Sequence, residues 1–361
     1  MKYDPRKHGI TQSKLANFLQ CRQRAKYTAD GIGWVEGMER EALWFGSMIH
    51  WLLERYHQGH VDVSVEDWAK ERNRSRSKTE FKPRRANQAE ANLIYVGQLL
   101  FDGYKKKWAK VNKRRTFVSL ESEFCVPFSL RSGEVVFLRG KRDGTGIRMP
   151  NGSDWLFETK TAARHNEDQK MTLLQFDFQC SFYLICSEIE RQKKMAGIWY
   201  NIIRKPGIVQ LQRETVEEYR ARVKKAIDDQ PDYFFYQYEV AFTPKQKRRA
   251  LEELTHIVNE FMDWYDDQDR KTYKNTVACT APYTCGYIQA CAKVCDATKV
   301  MGMGDLDRVH PELDKDTINA DTKGQKRKRK KSASQKGTTK KGHAVRSVPS
   351  KVKARRRPRT A

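Results

Sequence analysis

The chain has 361 residues, 39% of them hydrophobic and 11% aromatic, which excludes a wholly disordered protein and allows one large core or two ordinary ones. Its formal net charge is +25, but the 17 Lys and Arg from Lys323 onward meet no acidic residue, so residues 1–322 carry only +8. The start MKYDPRKHGITQSK is polar and no apolar run approaches the ~18 residues of a membrane span, so a soluble, cytoplasmic chain with no membrane partner is expected.

In chain order, TQSKLANFLQCRQRAKYTA (11–29) spaces Leu15, Phe18 and Leu19 for one short helix, with Thr11 or Ser13 as N-cap and Cys21 at its end. ALWFGSMIHWLLERYHQG (42–59) is apolar nearly all round until Glu54 and stops at Gly59, as a buried helix does. Residues 61–115 read as a helical insertion with a solvated basic connection, KERNRSRSKTEFKPRR, before the apolar-periodic ANLIYVGQLLFDGYKKKW. Strand patterns follow in FVSLESEFCVPF (117–128), EVVFLRGKRDGTGIRM (134–149) and DWLFETKT (154–161). Pro150-Asn151-Gly152 turns between the last two, which predicts an antiparallel meander.

A helix is expected over 173–190, strands in MAGIWYNIIRK (195–205) and GIVQLQRETV (207–216), and amphipathic helices over 214–229 and 244–269. The order predicts an α/β fold: a mixed central sheet flanked by helices, with helical additions. One folded domain is expected over residues 1–313 and a disordered basic tail, bearing KRKRKK and KVKARRRPR, over 314–361.

Period two in DWLFETKT puts Asp154, Leu156, Glu158 and Lys160 on one face and Trp155 and Phe157 on the other. Pairing across the turn brings Asp143 of GKRD toward Glu158 and Lys160. Two carboxylates beside an ammonium can be a surface ion-pair ladder. As hard oxygen ligands they also suit Mg2+ or Mn2+ and the hydrolysis of a phosphodiester.

Four pieces in order give this trio its company: GSMIHWLLE with Gly46 and His50, LRGKRD with Asp143, FETKT with Glu158 and Lys160, and FQCSFY with Gln179 and Tyr183. Their combination resembles the PD-(D/E)XK nuclease superfamily, and within it the RecB-like exonuclease branch, over roughly residues 10–295. The resemblance implies a restriction-endonuclease-like core in which Asp143, Glu158, the Thr159 carbonyl and His50 hold the metal. Lys160 would orient or deprotonate the attacking water, and Gln179 and Tyr183 would hold substrate backbone or the lysine. On a helix, His50 and Glu54 share a face, Gly46 permits close approach, and Gln175, Gln179 and Tyr183 line up on another face.

Eight cysteines in a reducing compartment point to free thiols or metal ligands, with Cys125, Cys180 and Cys186 read as small buried apolar side chains. In CTAPYTCGYIQACAKVC, Cys279, Cys285, Cys291 and Cys295 lack the paired close spacing of a zinc ribbon. They resemble instead the iron-sulfur staple of part of the RecB-like branch, whose isolated fourth ligand would be Cys21 in a start read as Ser13, Leu15, Phe18, Cys21. That resemblance implies a 4Fe-4S cluster on Cys21, Cys279, Cys285 and Cys291, with zinc as the weaker alternative and Cys295 as a spare thiol or substitute. Arg22 stands where proline is common.

The implied activity is a metal-dependent DNA exonuclease of recombination, repair or phage replication, partnered by DNA and by a helicase, recombinase or single-strand-binding protein. The alternatives are a nucleic-acid-binding recombination partner that keeps the fold without activity, and a zinc-stabilised RNA-binding or regulatory protein whose trio is a surface ion pair. The basic excess suits a polyanion in each case.

Overall fold

In the computed structural model the described residues are 3–31, 41–77, 88–148, 152–163, 167–267, 269, 271–280 and 284–292. They form α1 (Pro5–His8), β1 (Ile10–Thr11), α2 (Gln12–Gln20), α3 (Arg22–Ala29), α4 (Glu41–His57), α5 (Val65–Ser77) and α6 (Gln88–Asn112). Then come β2 (Arg115–Ser129), β3 (Val135–Arg148), β4 (Ser153–Ala162), α7 (Glu167–Leu174), α8 (Phe178–Arg191) and β5 (Met195–Arg204). The remainder is α9 (Val216–Asp229), α10 (Pro231–Phe234), β6 (Phe235–Ala241), α11 (Pro244–Asp266), a 3-10 turn at Val277–Cys279 and α12 (Ile288–Cys291).

The sheet runs β1-β3-β4-β5-β6, with β2 also paired to β3. β2, β3 and β4 form the expected antiparallel meander, β4 and β5 run parallel, and β6 returns antiparallel, so the sheet is mixed. Helices cover both faces. Leu15, Phe18, Phe182 and Phe261 pack with Val126 and Leu138 on one side, and Ile49, Leu52, Leu100 and Val223 pack with Ile203 and Phe235 on the other. Because both faces are covered, Asp154 through Thr159 of β4 are continuously buried, polar residues included. Truncating Leu156, which is fully buried, to alanine is expected to destabilise by about 2–5 kcal/mol.

The structure corrects several sequence expectations. Residues 11–29 form two helices, because Cys21 takes an extended backbone that ends α2 and begins α3; Leu19 is 45% exposed while Leu15 and Phe18 are buried. The helix expected over 173–190 starts at Phe178, where Asp177 caps the Cys180 N–H at 2.9 Å. Gln175 therefore stands outside the Gln179–Tyr183 face, exposed and accepting from Gln246.

GIVQLQRETV is not a strand. Its alternation is real, with Ile208 packed inward and Val209 and Leu211 77% and 63% exposed, but β5 already has β4 and β6 as neighbours. That edge of β5 is taken instead by FYQYEVA of β6, and the two-residue β1 is a further strand outside the sequence expectation. Residues 78–87, the turn at 149–151, Cys295 and the basic tail lie outside the described residues. All described residues fall in one compact unit, Met1–Thr317; the second unit, Ile318–Ala361, lies wholly outside them. Among the described residues no helix is long and apolar enough to cross a membrane.

Candidate active site

The site begins as a gap in strand pairing. Along one side β3 carries β2; along the other it pairs with β1 at Leu138 and Arg139 and with β4 from Gly144 to Arg148. Between these, residues 140–143 have no strand partner on that side among the described residues. Asp143 fills the gap with its own side chain, Oδ2 accepting the Thr159 N–H at 2.6 Å.

Helix α4 closes over this point. A Cβ at Gly46 would stand 3.4 Å from Thr161 Oγ1, in ordinary van der Waals contact, so α4 lies directly against β4 here. One turn later, His50 Nδ1 comes to 3.2 Å from Asp143 Oδ1 and 3.6 Å from Glu121 Oε1. Ligand atoms of His50, Glu121 and Asp143 lie within 4.8 Å of one another, a group able to hold a metal ion. Leu53, Glu54, His57 and Phe157 line the same small cleft.

Glu121 was missed in the sequence because nothing in the alternation of SLESEF marks it. Only the register does: Leu120 pairs with Gly144 and Ser122 with Arg142, which sets Glu121 opposite Asp143. Its backbone is left-handed, with φ at 45°, a conformation that costs a non-glycine residue about 1–2 kcal/mol. Its second oxygen accepts from Lys141 Nζ at 2.7 Å.

Glu158 and Lys160 point the same way, as period two predicted, toward Gln179 of α8. Lys160 Nζ lies 2.5 Å from Glu158 Oε1, and Gln179 Nε2 donates to the same oxygen at 2.9 Å. Glu158 is 1% exposed, and its Oε2 has no hydrogen-bond partner, an orphan that a cation would satisfy. Tyr183, one turn past Gln179, packs beneath Gly140, where a Cβ would sit 3.3 Å from its ring. Asn201 supports the strand from β5, its Nδ2 donating to Thr159 Oγ1 at 3.4 Å. The structure thus brings His50, Asp143, Thr159, Glu158, Lys160, Gln179 and Tyr183 into one neighbourhood, in which the close metal-ligand group is His50, Glu121 and Asp143.

Charge in the site is strongly coupled. Burial works against the His50 imidazolium, but Asp143 and Glu121 outweigh it and raise the pKa to about 10. Burial likewise opposes the Asp143 carboxylate, while His50, Lys160 and the Thr159 N–H hold it below the usual range. Burial and the Asp143 charge push Glu158 up to about 7 against the pull of Lys160. Burial disfavours the Lys160 ammonium, yet Glu158 and Asp143 together raise its pKa well above the ordinary value. His57 is lowered to about 3 by burial and by Arg115, so it stays neutral.

The profile of the PD-(D/E)XK nuclease superfamily matches residues 9–292. The chain belongs to the PD-(D/E)XK nuclease superfamily. Its members are phosphodiester hydrolases that use divalent metals, and the hard donors His50, Glu121 and Asp143 with the orphan oxygen of Glu158 fit such an ion. A crystal structure of a "Putative exonuclease" from Eubacterium rectale is similar over 77% of this chain and 94% of that chain, at 12% identity and a TM-score of 0.39. No curated protein matches.

In this nuclease the cysteine segment docks beside α2 and α3. Cys21 Sγ lies 3.7 Å from the Tyr273 carbonyl, which also accepts the Gln23 N–H, and Asn275 Nδ2 donates to Gln20 O at 2.9 Å. Cys285 N–H donates to Cys279 O at 2.8 Å, and the rings of Tyr27 and Tyr287 stand 5.4 Å apart. Burial raises the Cys291 thiol; Cys285 and Cys21 add to the rise and Tyr27 opposes it, so three of the four thiols share one neighbourhood. Cys21, Cys279, Cys285 and Cys291 are free thiols, and no three of their sulfurs lie within 4.8 Å of one another. Cys180 and Cys186 are also free thiols and are buried as expected, whereas Cys125 is half-buried. Arg22, in place of the common proline, bonds the Phe18 carbonyl and Glu260, tying α2 and α3 to α11.

Proposed function

We propose that the protein is a metal-dependent DNA exonuclease of the RecB-like branch, hydrolysing phosphodiester bonds of single strands or duplex ends in recombination, repair or phage replication. The observation that carries this reading is the meeting of His50, Glu121 and Asp143 within 4.8 Å beside the Thr159 N–H, with the Glu158–Lys160 pair on the adjoining strand. His50, Asp143, Glu158 and the Thr159 carbonyl hold Mg2+ or Mn2+, and Glu121 joins them. When bound, the cation supplies Lewis acidity and neutralises phosphate charge. Lys160, whose pKa is raised, keeps its proton; it orients the attacking water through its ammonium and stabilises charge as the phosphorane forms. Gln179 fixes the Glu158 carboxylate, and Tyr183 packs behind it under Gly140.

The cysteines give this reading its staple. Cys21, Cys279, Cys285 and Cys291 hold a 4Fe-4S cluster that ties the N-terminal helices to the segment after α11, closing a long loop that is otherwise entropically expensive. Zinc is the weaker occupant. A folded domain over 1–313 and a basic tail that binds nucleic acid complete the proposal. End-labelled linear DNA and covalently closed circular DNA, incubated in Mg2+, test it: label should be released from linear ends while circles persist. Equal cleavage of circles would refute exonuclease action, and cleavage of neither in Mg2+ or Mn2+ would refute the nuclease reading itself.

A further inference from the structure

Each oxygen of Glu121 faces a protein cation, His50 Nδ1 at 3.6 Å and Lys141 Nζ at 2.7 Å. Glu121 is mostly enclosed, but the Lys141 side chain is 48% exposed, so its ammonium reaches inward from the surface. Besides Glu121, Glu54 and Glu123 act on it electrostatically. Lys141 is therefore a half-exposed cation beside a cleft that Glu54, Glu121 and Asp143 make acidic.

Its backbone position points the same way. Lys141 belongs to the stretch of β3 that has β2 on one side and, between the β1 and β4 pairings, no strand on the other among the described residues. Asp143 follows two residues later on the same strand face, ~7 Å away. That is about two nucleotides of rise along a strand. A backbone whose scissile phosphate sits at Asp143 has its neighbouring phosphates within reach of a flexible four-carbon stem carrying three donors.

A divalent cation on the Glu121 carboxylate competes for its charge and repels the Lys141 ammonium 2.7 Å from its second oxygen. We propose that Lys141 is a substrate-phosphate contact held in reserve, paired with Glu121 until a divalent cation takes that carboxylate and then turned to the nucleic-acid backbone. The inference rests on the nuclease reading above and adds to it a coupling: cation and nucleic acid each raise the affinity of the other by the same factor.

Full-length Lys141→Met and Lys141→Arg, each checked for folding by its thermal melt, test this without any cleavage readout. Mn2+ binding is measured by titration calorimetry without DNA. Binding of a single-stranded oligonucleotide is measured by fluorescence anisotropy with Ca2+ as the probe cation. Lys141→Met should bind Mn2+ about threefold more tightly, because its competitor is gone. It should bind the oligonucleotide about fivefold more weakly, with a salt slope smaller by about 0.7, and Lys141→Arg should restore that binding. Mn2+ affinity no tighter than wild type, or oligonucleotide affinity unchanged, would overturn the proposal. Wild-type protein that neither binds Mn2+ nor cleaves DNA would instead overturn the nuclease reading, so the two failures are distinct.

Discussion

Replacing Glu121 with glycine separates what this residue does for stability from what it does for chemistry. The left-handed backbone at φ 45° costs glutamate about 1–2 kcal/mol and glycine almost nothing. The substitution also removes a carboxylate facing Asp143, which relieves like-charge repulsion. Against these gains stand the pair with Lys141, worth less than ~1 kcal/mol because the lysine is half exposed, and the contact with His50 at 3.6 Å. Metal-free Glu121→Gly is therefore expected to be stabilised by less than about 1 kcal/mol, raising Tm by at most about 1–2 °C. Cleavage in Mg2+ should meanwhile fall by ~10²-fold or more, about 2.7 kcal/mol of lost transition-state stabilisation. Glu121→Gln keeps the strained backbone and loses the charge, so it should lose activity without the gain in Tm. Melts in a chelator beside initial cleavage rates read both quantities. A Tm lowered by several degrees with activity retained would mean that Glu121 is a structural residue, and the ligand argument would fail.

Gln179→Leu leaves the Glu158 carboxylate with one donor fewer, so its pKa should climb further; cleavage should fall about tenfold, and more at pH 6 than at pH 8. A pH-independent loss would count against the assigned role. In chelator, stability should decline with rising pH. Glu158, raised from 4.5 to about 7, withdraws stability as it ionises across that window, and His50, raised from 6.5 to about 10, contributes stability below pH 6.5 that is lost as pH climbs toward 10. Melts at pH 6, 7.5 and 9 should show the decline, His50→Gln should flatten its alkaline part, and a flat wild-type profile would contradict the coupling. Anaerobically purified protein should be brown with absorption near ~400 nm; Cys21→Ser should lose the colour, whereas a colourless wild type with stoichiometric zinc would remove the cluster.

The meander of β2 to β4, helix α4 and the paired faces of β4 were legible because each rests on local signals: period two, apolar runs and Gly-rich turns. The break at Cys21 was not, since its extended backbone meets the segment around Tyr273, which comes from far along the chain. The exchange of GIVQLQRETV for FYQYEVA has the same origin: alternation shows that a strand could form, and the choice of partner is tertiary. At the site, Asp143, Glu158 and Lys160 were readable as a trio with a spacing. Glu121 was invisible because a carboxylate in an ordinary alternating strand gains meaning only from the register that sets it against Asp143.

In the proposed reaction the carboxylates and lysine converging on β3 and β4 hydrolyse DNA with a divalent cation. Wild type, Glu158→Ala and Lys160→Ala, compared on single-stranded and blunt duplex DNA in Mg2+ or Mn2+, test it most directly. Wild type should cleave, and both variants should lose cleavage by ~10²-fold or more while still binding DNA. Cleavage unchanged in both variants would contradict the assignment.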